Sequence, residues 1–120
     1  MMIDSNFKME NKNITMIKGD TLSFGVIICD ENDKPFDQDL SSVILTCKSN
    51  KSNDDIVFQK KLGDGVSKRG QGEYVVRVAP HDTENAEAGK YFYDLEIGAN
   101  GDIFTIMHGI LQIDDDITKG

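Results

Sequence analysis

The sequence lacks most of the features that mark enzymes, membrane proteins and disulfide-rich domains. Its two cysteines are too few for a disulfide scaffold. It has no run of about 18 apolar residues, so we expect no membrane-spanning helix. Residues 1–13 have no apolar segment ahead of a small-residue cleavage site, so we expect no secretory signal peptide. Nucleophile-elbow, phosphate-loop and metalloprotease motifs are missing, and we expect no enzyme activity.

Positive charge is also scarce in this chain. The 120 residues include 13 basic and 21 acidic ones, which gives a formal net charge of -8. A phosphate backbone is repelled by such a chain on average, so we expect no nucleic-acid partner. The hydrophobic fraction of 38% is enough for one core. We expect a flexible N-terminal tail over residues 1–12, one domain over residues 13–118 and a short C-terminal end at residues 119–120.

Short β-type runs separated by turn signals fill the rest of the chain. Their period-two alternation predicts an all-β protein of about seven strands, at residues 14–17, 21–29, 42–48, 56–62, 72–79, 91–97 and 103–113. Residues 63–72 predict a glycine-punctuated loop, and residues 81–87 predict a single helical turn. Asn100 and Gly101 predict a type I′ hairpin. Gly109 predicts a bulge or a point of close backbone approach.

Both cysteines fall inside apolar β-type runs. Cys29 follows Val26, Ile27 and Ile28, and Cys47 ends the run that begins at Val43. Free cysteine is commonly buried and behaves as a small hydrophobic residue. The sequence therefore predicts two reduced core thiols and no inter-sheet disulfide.

Two acidic clusters are candidate calcium ligands. In the turn at residues 30–39, an EF-hand loop is excluded because Lys34 and Pro35 occupy its fifth and sixth positions. An irregular calcium site there stays an open alternative to a solvated turn. The run at residues 114–116 has the same two interpretations, although adjacent side chains on a strand point in different directions.

The two histidines are weak candidates for catalysis. His81 precedes Asp82, but adjacent residues rarely orient each other for proton transfer, and Asp82 is better interpreted as a turn cap. His108 lies within a predicted strand, where a structural role is more common. We therefore expect no catalytic residue, no bound metal and no cofactor.

Residues 87–93, with the sequence EAGKYFY, are the most informative segment. An acidic residue, a glycine and a tyrosine at alternate positions are typical of the corner that leads into strand F of an immunoglobulin-like sandwich. This pattern predicts a structural corner formed by Gly89, Tyr91 and Tyr93. The Tyr91 hydroxyl is expected to bond to backbone between residues 83 and 87. Tyr93 is expected to point into the core, where antibody domains have cysteine.

The expected fold is therefore an immunoglobulin-like antiparallel β-sandwich. The three tyrosines alternate inward, which favours core packing over a carbohydrate-stacking platform. Three apolar residues near the predicted hairpin fall on the outer phase and form the candidate interface: Phe92, Phe104 and Ile106.

An ordered set of short motifs resembles the immunoglobulin-like domains of tailed-phage and prophage structural proteins, similar to the N-terminal domain of the baseplate upper protein. The set extends over residues 14–118 and comprises IKGDT at 17–21, the acidic turn at 30–35, GEY at 72–74, APHDT at 79–83, AGKYFYDL at 88–95, TIMHGIL at 105–111 and DIT at 116–118.

This resemblance implies a virion structural component without an active site. Its partners would be other virion proteins or further copies of itself, and its location the bacterial cytoplasm during assembly and then the virion. The sequence departs from the baseplate protein because no coiled-coil or receptor-binding extension follows the sandwich. Baseplate, tail, neck and head-decoration positions therefore stay open. The alternative hypothesis is a carbohydrate-binding or adhesive immunoglobulin-like domain.

Overall fold

Strands dominate the computed structural model, which describes residues 9–30, 32–49 and 55–117. These ranges contain β1 (Glu10–Asn11), β2 (Ile14–Ile17), β3 (Leu22–Ile27), β4 (Ser42–Lys48), β5 (Ile56–Leu62), β6 (Gly65–Gly70), β7 (Glu73–Val78), α1 (Pro80–Thr83), β8 (Gly89–Ala99) and β9 (Asp102–Asp114). No helix within these ranges is long and apolar enough to cross a membrane.

The strands form a curled mixed sheet with a front half and a back half. The front half has the order β2-β9-β8-β4-β5, with β1 also on β9, and the back half has the order β6-β7-β3. Residues from both halves, among them Leu45, Leu111, Phe24 and Val78, line one internal cavity of about 10 Å³. β5, β4, β8 and β9 correspond to strands C′, C, F and G of one layer of an immunoglobulin-like β-sandwich, and β3, β7 and β6 correspond to strands B, E and D of the other. The predicted fold is therefore confirmed.

The pairing of the strands is more mixed than the sequence predicted. β1 and β2 pair with β9 in parallel, and β5 pairs with β6 in parallel over two residues. β2, β4 and β5 have the predicted bounds. β6 replaces part of the predicted loop, because only Val66 of this strand is buried and its exposed Ser67, Lys68 and Arg69 hide the alternation.

The N-terminal part of the chain contributes a short strand before β2. Residues 1–8 of the expected tail lie outside the described residues. β1 lies within the remaining part of that expected tail and pairs with Met107 and His108 of β9. Gly109 is a point of close approach, since a Cβ atom there would lie 2.1 Å from the Lys12 carbonyl oxygen.

The corner ahead of β8 has the geometry expected from residues 87–93. The Tyr91 hydroxyl donates to the Glu87 carbonyl oxygen over 2.6 Å, and Tyr93 is buried. The single helical turn α1 begins at Pro80, and the Asp82 carboxylate accepts the Ala79 N–H over 2.7 Å. That bond matches the capping role predicted for Asp82.

The β8–β9 hairpin sets which residues of β9 face the core. Asn100 and Gly101 have φ angles of 55° and 86°, as a type I′ turn requires. The register shifts once, opposite the step from Leu95 to Glu96. Ile106 is the extra residue of this β-bulge, so the bulge lies three residues before Gly109.

Candidate interaction surface

The outward face of the front half brings charged and apolar side chains together on four adjacent strands. The strand register places Thr46, Asp94 and His108 side by side on β4, β8 and β9. We call this surface the front face and define it by Ile44, Thr46, Lys48, Lys61, Phe92, Asp94, Glu96, Ile103, His108 and Ile110. Its members alternate with buried core residues on the same strands, which is why each strand contributes every second residue.

A groove of about 430 Å³ runs over the front face beside the N-terminal segment. Asn11, Asn13, Lys48, Phe92 and His108 are among the residues that line it. Apolar and polar side chains therefore meet in one concave site, which is the usual character of a binding site.

The wall of this groove is fixed by hydrogen bonds to the N-terminal segment. The Lys12 N–H donates to the His108 carbonyl over 2.9 Å, and the Tyr93 hydroxyl donates to the Lys12 carbonyl over 2.5 Å. The Asn13 carboxamide oxygen accepts the Ile110 N–H over 3.0 Å. Burial raises the pKa of Tyr93 to about 12, so this hydroxyl stays a donor at neutral pH.

Asp94 is the half-buried carboxylate of the groove. Burial raises the pKa of its carboxyl group, while the nearby charges of Lys48 and His108 act against that rise. Across residues 9–30, 32–49 and 55–117 we find no hydrogen bond to this carboxylate. Asp94 therefore presents acceptor capacity toward the groove.

The predicted interface residues divide between the two faces of the sheet. Phe92 lies on the front face and is half-buried. Phe104 lies opposite the core residue Ile97 and packs against the core, and Ile106 is only 6% exposed. The expectation that Phe104 and Ile106 point outward is therefore wrong. Binding by any of the three stays a prediction.

Ile103 is the most exposed of the three outward isoleucines that the predicted interface left out, the others being Ile44 and Ile110. It is 63% exposed and lies opposite Gly98 on the front face. A signal for it was present, because a two-residue turn at Asn100 and Gly101 pairs Ala99 with Asp102. Counting on from that pair places Ile103 outward and Phe104 inward.

The acidic turn is organised by hydrogen bonds to its own backbone. The Asp30 carboxylate accepts the N–H groups of Asn32 and Lys34 over 2.8 and 3.1 Å. This is the geometry of a solvated Asx turn. Over the described ranges, no group of three histidine, cysteine or acidic residues is placed to hold a metal ion.

The two cysteines are both free thiols. Cys47 is buried as predicted, and burial raises the pKa of its thiol to about 12. Cys29 is half-buried and lies beyond the end of β3, where its backbone bridges to Pro35. Cys47 is therefore the less reactive of the two toward alkylation.

Comparisons with known proteins add two distant structural likenesses. No protein-family model and no curated protein matches the sequence. One similar structure is the N-terminal Ig1-2 module of the Drosophila receptor protein tyrosine phosphatase DLAR, at 15% identity and a TM-score of 0.45; the match covers 96% of this chain and 49% of that one. Another is murine CRIg, at 10% identity and a TM-score of 0.47, over 87% of this chain and 92% of that one. The fold assignment rests on the strand order and the Tyr91 corner.

Proposed function

We propose that this protein is a non-enzymatic structural module of a phage or prophage virion that works through protein–protein contacts on its front face. The observation that carries this proposal is the apolar content of the front face, where Ile44, Phe92, Ile103 and Ile110 point away from the core. An outward apolar surface on an acidic chain is typical of an interaction site. The virion setting is supported by the motif resemblance, and it implies assembly in the bacterial cytoplasm.

The groove chemistry favours binding over catalysis. Asp94 and His108 share the groove, but acid–base chemistry also needs a nucleophile or an activated water close to both. Both hydroxyl residues of the groove already have hydrogen bonds: Thr46 accepts one from Gln59 over 2.9 Å, and Tyr93 donates one to the Lys12 carbonyl over 2.5 Å. A surface of this composition is suited to holding a partner.

Particle incorporation tests the proposal directly. Induced lysates are fractionated, and purified particles are analysed by mass spectrometry. We expect the wild-type chain in the particles and expect Ile103→Glu to be lost from them, because a charge is then placed in the contact. Ser67→Glu adds the same charge on exposed β6 of the back half and is the matched control. Normal particles that never contain the wild-type chain would overturn the proposal.

A carbohydrate-binding function is the second candidate. It is favoured by one observation, the aromatic ring of Phe92 beside the polar groups of Asp94 and Asn11 in a groove large enough for a small sugar. A glycan array probed with the wild-type chain and with Asp94→Asn tests it. Binding that depends on Asp94 supports this function, and a blank array contradicts it.

A further inference from the structure

Charge on the front face is balanced, although the whole chain carries a net charge of -8. Lys48 lies on β4 and Lys61 on β5, while Asp94 and Glu96 lie on β8, the neighbour of β4; β8 also carries the exposed Lys90 near its start. The defined front face therefore has two basic and two acidic side chains, and its two acidic residues lie on β8 beside β4, which carries Lys48. Such a face is complementary to itself when it is turned over.

We propose that the front face binds the front face of a second copy of this chain, so that the protein assembles as a two-fold symmetric dimer. This inference rests on the proposed function, because it names the partner of the same surface. A two-fold axis parallel to the strands, between β4 and β8, places β8 of one copy over β4 of the other. Asp94 and Glu96 on β8 of each copy then face β4 of its partner, which carries Lys48.

The symmetry brings Asp94 of one copy within reach of Lys48 of the other. Asp94 lies opposite Thr46, and Lys48 is two residues further along the same strand, a step of about 7 Å. A lysine stem is long enough to cover that distance. An ammonium group has three donors, so this contact is compatible with the contacts that Lys48 makes in its own chain.

The Asp94 carboxylate gains most from such a contact. It is half-buried and has no hydrogen bond within the part of the chain that the structure describes. An ammonium donor from a second copy supplies a charge-assisted hydrogen bond to it. Glu96 on β8 and His108 on β9 are the other titratable groups beside it, and a protonated His108 competes for the same carboxylate.

The area of the face is adequate for a stable dimer. The five front-half strands contain 42 residues, which at about 3.3 Å per residue and about 4.8 Å per strand cover roughly 670 Å² in projection. A standard interface buries about 800 Å² on each partner. Ile103, which is 63% exposed, and Phe92 would be covered in this arrangement.

Sedimentation and light scattering of the full chain over a range of concentrations test the dimer. We expect a mass that rises from 13.3 kDa to twice that value. Asp94→Lys and Lys48→Asp each place like charges opposite each other, and each should weaken dimerisation by at least about tenfold. The combined variant Asp94→Lys with Lys48→Asp restores opposite charges and should recover most of the affinity.

Asp20→Lys makes the same charge change in the exposed β2–β3 turn and should leave the dimer intact. Circular dichroism checks that every variant is folded, and Ile103→Glu provides a second way to break the contact. A chain that stays monomeric at all concentrations, or a combined variant as weak as the single ones, would overturn the inference. If the monomeric chain still enters particles and Ile103→Glu does not, the dimer is wrong and the proposed function stands.

Discussion

Two aspartates show how the corner region, which comprises residues 79–93 and the contacting Lys60, differs from the front face. Asp82, in α1, has a side chain that is 8% exposed; it bonds Lys60 Nζ over 2.6 Å and accepts the Ala79 N–H. Asp94, in β8, is half-buried, and no hydrogen bond to its carboxylate lies within the described residues. The Asp82 carboxylate therefore has its partners inside its own chain, whereas the Asp94 carboxylate lies at the surface and can accept further hydrogen bonds.

The two carboxylates therefore contribute differently to the stability of the fold. A buried charge that has its partners stabilises one conformation, and removing one partner leaves the other charge uncompensated. A half-buried charge without a fixed partner costs the fold a little and gains a partner on binding. The Lys60–Asp82 pair therefore stabilises the sandwich, and the front face is where the proposed function places the contact.

The largest expected effect comes from breaking the ion pair of the corner region. Asp82→Ala leaves the Lys60 ammonium buried without its partner, and we expect a loss of about 3–5 kcal/mol in the free energy of unfolding. Urea melts measure this loss. Adding Lys60→Met removes the stranded charge and should recover a large part of it. A loss as small as that from an exposed aspartate, such as Asp20→Ala, would contradict this view of the corner.

A smaller loss is expected at the tyrosine of the same region. Tyr91→Phe removes the donor to the Glu87 carbonyl, a bond of 2.6 Å, and should cost about 2 kcal/mol. Tyr74→Phe is the matched control, since Tyr74 is also buried and its hydroxyl has no hydrogen bond to other described residues. Equal losses from the two variants in denaturant melts would argue that the corner bond adds nothing.

The sequence predicts the inward and outward residues of β8 correctly but not those of β9. Period-two alternation placed Tyr91, Tyr93, Leu95 and Ile97 on the core face, and burial bears that out. The same rule placed Phe104 and Ile106 on the wrong face, because its phase on β9 was not counted from the hairpin turn. The bulge at Ile106 then reverses the phase from Met107 onward, and nothing in a single sequence marks it.

Contacts between residues far apart in the chain also could not be predicted from the sequence. Lys60 and Asp82 are 22 positions apart, and only the folded chain brings them together. Asp94 lies between Tyr93 and Leu95, so period-two alternation puts it on the outer face. Its neighbours Lys48 and His108 depend on the register of three strands, which turn signals fix only between β8 and β9.

The smallest expected effect is at Asp94, and its sign is opposite to that of the corner variants. Because burial raises the pKa of this carboxyl above its ordinary value of 3.8, the folded state binds its proton more tightly than the unfolded state does. The ionised form therefore costs stability once the pH rises through the raised pKa, and below 3.8 both states are protonated. We expect Asp94→Asn to unfold at a higher urea concentration than the wild type at neutral pH, with the difference disappearing in acid.

The measurement is made on dilute protein so that the chain is monomeric. Pairing with a second copy would favour the ionised form of Asp94. Asp102→Asn removes one charge from the exposed start of β9 and separates the effect of net charge. A stability loss for Asp94→Asn at neutral pH would show that Asp94, like Asp82, is already satisfied within its own chain. The two aspartates would then be alike, and the argument that the front face awaits a partner would lose its electrostatic basis.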